Sequence, residues 1–536
     1  MKIYSEVLAP AKRLWNLLKL DQNEIRNIYV YSILGGLISL SLPLGIQAII
    51  SFIQAGEIST SWIILVLGVI VGVLVVGLLQ ILQLRISENL QQKLFIRNAF
   101  EFANVIPAAD WNHINDRSTE LMNRFLDITS VQKGISKLIL DFSAASLQIL
   151  FGLILLSLYH PLFIWMGIMF VVLFIFMFVY HFKEGIKTSL NESKHKFKIL
   201  SWLEEMAANI PMVKTNIHSD FHLKRTDKHV IQYLEAREDH FKVLKKKYYS
   251  MIALKIFMIS GLLIIGGLLV IQQSMNLGQF IAAEIIIILL MSSIEKLMSI
   301  LEVLYDVLTA LQKLGEVTEL KLEKRTGMTF PAILTDSKFA LKVPIANQNG
   351  FDSISSEEND FVSLKGNQVE IKHLMDTIAG LNDSSQKIIF NELNLSSYSI
   401  SEYRRNVYYS RHRMDVFEGT LMENISLNNE KITIEELDQA LFYSGLKTEI
   451  NKLSGGLYHE ISLFNREEKL CAKIGLARAF LSRSPIALFY ESFIHLNEKE
   501  IEFYLEGFKK HNKGLVFVFS NQTIPSHLFN KTLQIF

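Results

Sequence analysis

Cysteine is almost missing, with one residue, Cys471, in a chain of 536. A single thiol can neither close an internal disulfide nor build a thiolate metal site, so disulfide scaffolds and zinc ribbons are excluded. Proline is scarce at 9 and glycine ordinary at 27, which argues against disordered tracts and fibrous repeats. Net charge is missing too. Lys+Arg number 54 against 53 Asp+Glu, leaving +1, without the basic field of a nucleic-acid protein. Only 20% of residues are charged, where a soluble protein has about a quarter. The chain is 50% hydrophobic with a mean hydropathy of +0.26. A membrane portion follows. The length suggests about two to four domain-sized units.

Charge is absent over long runs in the first three hundred residues. None falls between Arg26 and Glu57, between Glu57 and Arg85, or between Asp141 and Lys183. The last run is too long for one crossing and breaks at Tyr159-His160-Pro161, which reads as a hairpin. Six spans are expected near 27–53, 61–84, 139–158, 161–182, 248–272 and 277–301. The tail before the first span holds five Lys/Arg, the 85–137 segment seven and the 183–247 segment fourteen. The short connections hold none. The positive-inside rule therefore puts both long loops and both termini in the cytoplasm, with the chain multi-pass in the cytoplasmic (inner) membrane. The first apolar run is too long for a signal peptide. The region around Lys12, Arg13 and Trp15 reads as an interfacial amphipathic helix. Both long loops look helical, so the membrane helices should run on into the cytoplasm and turn near 112–119 and 209–219.

Glu284 stands roughly 10 Å along the sixth span from its outer end. An intramembrane carboxylate tends to face a bundle interior or a wet cavity. Substrate or cation contact and a polar helix pairing are both open. Lys255 can snorkel from near the cytoplasmic end, while Glu295 and Lys296 should be solvated at the exit.

Composition changes near Lys321–Gly327. Beyond it Phe361–Leu364, Ile486–Tyr490 and Leu515–Phe519 look like buried strands of an α/β sheet. The expected division is a membrane domain over 1–328 and a soluble α/β domain over 329–536. Leu476-Ala477-Arg478-Ala479-Phe480, Phe417-Glu418-Gly419-Thr420-Leu421-Met422-Glu423-Asn424-Ile425 and Ala379-Gly380-Leu381 occur in an order and spacing that resembles the ATP-binding-cassette (ABC) exporter half-transporters. The membrane part, around Pro43–Ile50, looks most like exporters of the secretion type. The first span begins so early that no papain-like peptidase domain is expected ahead of it. The resemblance implies a six-span α-helical domain with long cytoplasmic helices followed by a P-loop-type α/β cassette. It also implies lipid surroundings and a homodimer or a heterodimer with another exporter subunit, moving an unidentified substrate.

The chemistry departs from that family where it matters. A phosphate loop G-x-x-x-x-G-K-[ST] wraps backbone N–H groups round the phosphates, with lysine on their outer oxygens and a hydroxyl on Mg²⁺. Here the stretch is Gly366-Asn367-Gln368-Val369-Glu370-Ile371-Lys372-His373. Counted from Gly366, Lys372 takes the lysine place and His373 the hydroxyl place. Counted back from Ala379, Ile371 takes the lysine place. In either count the inner glycine is gone and Glu370 would repel phosphate. Tyr490 replaces the magnesium aspartate, leaving Glu491 as a catalytic position with nothing to act on. The resemblance puts His412 at the glutamine-loop position and Asn521 at the switch histidine. Leu453-Ser454-Gly455-Gly456 mimics the family signature but lies twenty-four residues before Ala477, where the family places it eleven before. The true signature place is Arg466-Glu467-Glu468-Lys469-Leu470, without serine or glycine.

No cofactor is indicated by the chain's own residues, and Mg-ATP enters only through the resemblance. The leading reading is a transport subunit with a degenerate ATP site that is not an ATPase alone. A conventional ATP-driven exporter and a non-transport scaffold or regulator are the alternatives.

Overall fold

The computed structural model describes residues 2–535 except 57–59, 115–117, 216–219, 324–326, 332–338, 345–350, 356–359, 383–387, 412–414, 463–466 and 513. It divides into two compact units, 1–108 with 117–320, and 109–116 with 321–536.

The first unit is helical. It comprises α1 (Lys2–Leu20), α2 (Gln22–Ser39), α3 (Ser41–Ala55) and α4 (Thr60–Ala108). After α5 (Trp111–Ile114), which clusters with the second unit, come α6 (Ser118–Asn123), a 3₁₀ turn at Arg124–Asp127, and α7 (Ile128–Tyr159). Then follow α8 (Pro161–Ala208), α9 (Ile210–Thr215), α10 (Phe221–Gly261), a π turn at Leu262–Gly266, α11 (Gly267–Ile271) and α12 (Leu277–Thr318). Among the described residues, six stretches are long and apolar enough to cross a membrane: Gln22–Gln54, Thr60–Ala108, Leu121–Tyr159, Pro161–Ala208, Phe221–Ile271 and Leu277–Thr318. At 48 residues, α8 is about 72 Å long by its rise, far more than a bilayer core needs. The hairpin at His160 forms as its chemistry dictates. His160 is extended, its ring nitrogen accepts the Leu162 N–H at 3.2 Å, and Pro161 occupies the first helical position.

Packing centres on α12. Ala283, Ile287, Leu290, Ile294 and Leu301 are buried at helical spacing against Leu156, Phe163, Phe170 and Met258. Glu284 lies off that face and is exposed, as are Ile288, Ser292 and Glu295 one and more turns along. Lys255 and Glu295 meet across two helices. They form an ion pair between α10 and α12, a contact the sequence did not indicate, while Glu295 is exposed as expected. Arg13 of α1 donates to both Glu319 oxygens, at 2.8 and 2.7 Å, which ties the N-terminal helix to the end of α12.

The second unit is α/β. Its elements are β1 (Ala340–Pro344), β2 (Phe351–Ser355), β3 (Phe361–Gly366), α13 (Gln368–Ile378), β4 (Ile389–Phe390), β5 (Leu393–Asn394), α14 (Ile400–Arg404) and β6 (Val407–Arg411). They continue with β7 (Gly419–Thr420), α15 (Leu421–Ser426), α16 (Ile434–Tyr443), α17 (Leu446–Ile450), β8 (Glu460–Ile461) and α18 (Glu468–Ser482). The last are β9 (Ile486–Tyr490), α19 (Glu498–His511), β10 (Leu515–Phe519) and β11 (Lys531–Ile535). A parallel sheet runs β11-β3-β10-β9-β6, beside an antiparallel sheet β2-β1-β4-β5. The unbroken apolar runs of β9 and β10 follow from burial on both faces. Ile486, Leu488, Leu515 and Phe517 pack with Ile371 and Met375 of α13, while Ala487, Phe489, Val516 and Val518 pack with Leu476, Leu505 and Phe508 of α18 and α19. Within this unit Asp110 is held to Lys321, and the Arg411 guanidinium lies 5.5 Å over the Trp111 ring.

Candidate functional site

The strand β3 passes to α13 through one residue. Gly366 ends the strand at φ +130°, a conformation side chains rarely adopt, and a Cβ there would lie 1.7 Å from the Ile535 carbonyl oxygen. This glycine is therefore required by the close approach of β11. Asn367 follows, donating its N–H to Ile535 at 3.0 Å and accepting the Val369 N–H on its side chain at 2.9 Å. The helix begins at Gln368. Residues that would form the wrapping part of a glycine loop are instead its first turn, and the chain's own Asn367 caps the end. Glu370 in that turn suits the positive helix end and opposes an incoming anion. Ile371 is fully buried in the core, whereas Lys372 and His373 are exposed on the outer face of α13.

Tyr490 closes the same corner from β9. Its ring stacks on Phe519 with centroids 5.4 Å apart, and its hydroxyl is hydrogen-bonded by the Gln368 side chain. Burial pushes this phenol above its ordinary range. One strand over, Tyr409 donates its hydroxyl to Asp376 Oδ1 of α13 at 2.8 Å. Burial, with the Asp376 charge second, raises the Tyr409 phenol as well. Both tyrosines thus stay neutral and bonded to α13. Neither Gln368 nor Tyr409 carried a motif signal; only the fold brings them to Tyr490 and Asp376.

Glu491 is 3% exposed and sits in the left-handed region at φ +53°. Its Oε1 accepts the Asn521 N–H at 3.0 Å, and its own N–H donates to the Phe519 carbonyl at 2.9 Å. The carboxylate thereby joins the end of β9 to the turn after β10. Asn521 takes part through its backbone. His412 lies outside the described residues, as does Arg466. Beyond Glu491 opens a cavity of about 400 Å³ whose lining includes Tyr408, Arg411, Cys471, Arg478 and His495. Arg478 donates to carbonyls of Asn424 and Asp415, so the Ala-Arg-Ala segment serves packing in this chain.

The start of α18, where the sequence reading puts the signature, is occupied by intramolecular polar contacts. Glu468 lies 3.3 Å from His495, and Lys469 lies 3.0 Å from Glu500. Lys473, one turn on and 2% exposed, pairs with Glu449 and Glu500 at 3.1 and 3.3 Å. The Leu453–Gly456 look-alike lies in the turns between α17 and β8, not at the head of α18.

The chain has recognisable relatives. The family model "ABC transporter transmembrane region" matches residues 25–294. "Transport/processing ATP-binding protein ComA" of Streptococcus pneumoniae serotype 4 is 23% identical over 436 residues, which is 76% of this chain and 59% of that protein. The chain thus spans about three fifths of that relative's length. "Lactococcin transport/processing ATP-binding protein LcnC-like" of Lactococcus lactis subsp. lactis is 23% identical over 533 residues, covering 92% of this chain and 71% of that one. Among solved structures, a bacterial Atm1-family ABC exporter with ATP bound superposes with a TM-score of 0.77 at 13% identity, covering 93% of this chain and 91% of the other. The fold is accordingly that of an ABC exporter, and the protein is a multi-pass membrane protein. With its six spans and a family match over half its length, the chain belongs to the ABC transporter transmembrane region family.

Proposed function

We propose that the chain is a transport subunit of an ABC exporter, working as a dimer with itself or with a related subunit, whose own phosphate site does not turn over ATP. The observation that carries the reading is the β3–α13 junction, where one residue stands in place of a loop and the Asn367 side chain takes the Val369 N–H. Tyr490, bonded to Gln368, occupies the position where the family keeps a magnesium carboxylate, and Glu491 is committed to the Asn521 amide. A γ-phosphate would meet neither a cradle nor a metal ligand here. Ion pairs at the head of α18 leave the signature side without a serine or glycine. The six-span unit carries an exposed stripe of α12 with Glu284, which this reading assigns to the substrate path.

The test is thermal melting of the full chain in nanodiscs with millimolar Mg-ATP. A ligand at a hundredfold over its Kd would stabilise by about 2.7 kcal/mol, a shift easily read. The expected result is no shift. A saturable shift together with phosphate release would instead support the conventional ATP-driven exporter.

A further inference from the structure

The first unit contains a cavity of about 410 Å³ that no nucleotide or transport argument uses. Its lining converges from four places: Arg124 in the 3₁₀ turn before α7, Lys194 and Lys198 on α8, Arg225 on α10 and Lys313 on α12. Among its described lining residues Glu205 is the one carboxylate. Lys194 stands twelve residues beyond the apolar span expected to end at 182, about 18 Å by the helical rise, clear of the bilayer core.

Three of these cations are held in place. Arg124 is 5% exposed, and its guanidinium lies 4.6 Å over the Phe197 ring, with the Lys313 ammonium 4.7 Å from the same ring. Both share one carboxylate, Glu316, at 3.2 and 3.6 Å. Arg225 lies 4.4 Å over Trp202 and reaches Glu205 at 3.6 Å. Burial, then the charge of Arg124, lowers the Lys313 ammonium from its ordinary value, as a positive surplus requires. Even with Asp127 counted beside Glu205 and Glu316, five cations face three carboxylates. The buried Arg124 and half-buried Lys313 have Glu316 and Asp127 beside them, so the surplus falls on the exposed cations, and a cavity of small-molecule size is where a ligand can supply their counter-charge. Guanidinium forks and ammonium groups together suit phosphate and carboxylate oxygens.

We propose that this cavity binds a small multivalent anion of the phosphate or polycarboxylate class, with Arg124 and Lys313 at its floor and Lys194, Lys198 and Arg225 at its rim. The site is separate from the cassette-like unit and does not depend on whether that unit binds nucleotide.

The test uses the full chain in nanodiscs of neutral phosphatidylcholine, with EDTA present, titrated calorimetrically with pyrophosphate and separately with citrate. Saturable binding of at least one, about one per chain and weakened by salt, is expected. Binding of pyrophosphate alone assigns phosphate, and binding of citrate alone assigns polycarboxylate. Lys194→Gln/Lys198→Gln removes two exposed rim charges and should weaken binding about tenfold or more without changing the melting temperature. Arg225→Gln, also at an exposed position, should weaken binding independently, with a small fall in melting temperature from the lost Trp202 and Glu205 contacts. No saturable binding of either anion into the low millimolar range, or binding unchanged in both variants, would overturn the proposal.

Discussion

Replacing Tyr490 with aspartate puts a carboxylate beside Glu491, at the position that the proposed function reads as the family's magnesium ligand. The structure says what is lost. The stacked pair with Phe519 contributes about 0.5–1.5 kcal/mol beyond its buried area. Loss of the half-buried ring adds roughly 1–2 kcal/mol. The new charge would also lie near Asp376 and Glu491, whose carboxylates already act on the Tyr490 phenol. The cassette-like unit should therefore lose about 2–4 kcal/mol, a fall of roughly 5–10 °C in its melting. No ATPase should appear, because phosphoryl transfer needs positioning and charge stabilisation together, and Asn367 still caps α13 where a loop would have to open. The assay is steady-state phosphate release from the purified chain in nanodiscs, against a Tyr490→Asp/Glu491→Gln control. Activity above that control would mean that the β3–α13 junction holds phosphates after all, and the degenerate-site reading would fall.

Asn367→Ala removes the α13 cap and should cost about 1 kcal/mol in thermal melting, while Asn367→Asp should be near neutral, since it accepts the same Val369 N–H. Glu284→Gln should reduce export by cells while leaving membrane insertion and assembly intact; unchanged export would make the carboxylate structural. Asp127 is pushed by burial from 3.8 to about 6, against the attraction of Arg124 and Lys313. The folded state therefore holds this proton more tightly than the unfolded chain, so the group's contribution is most favourable below about pH 4 and is lost as pH rises toward 6. Asp127→Asn should flatten the melting profile across that window, and an unchanged profile would refute the assignment.

The membrane path and the sheet were legible in the sequence because their causes are local. Uncharged runs longer than a bilayer, a His-Pro break and unbroken strand hydrophobicity each act within one segment, and α8, the His160 turn and β9–β10 followed from them. Which side chains meet at the start of α13 was not. Gln368, Tyr490 and Phe519 lie far apart in the chain, and only the parallel pairing of β9, β10 and β3 brings their side chains to one helix end. The same holds for charge. A chain with net charge +1 still gathers Arg124, Lys194, Lys198, Arg225 and Lys313 round one cavity, because composition sums charges while folding positions them. Lys255 and Glu295 were each visible as costly residues near a span, but their pairing required α10 and α12 to lie side by side. The sequence by itself determined which segments enter the membrane and which strands are buried. The tertiary structure alone decided which polar groups meet, since that depends on contacts between residues too distant for any periodicity to record.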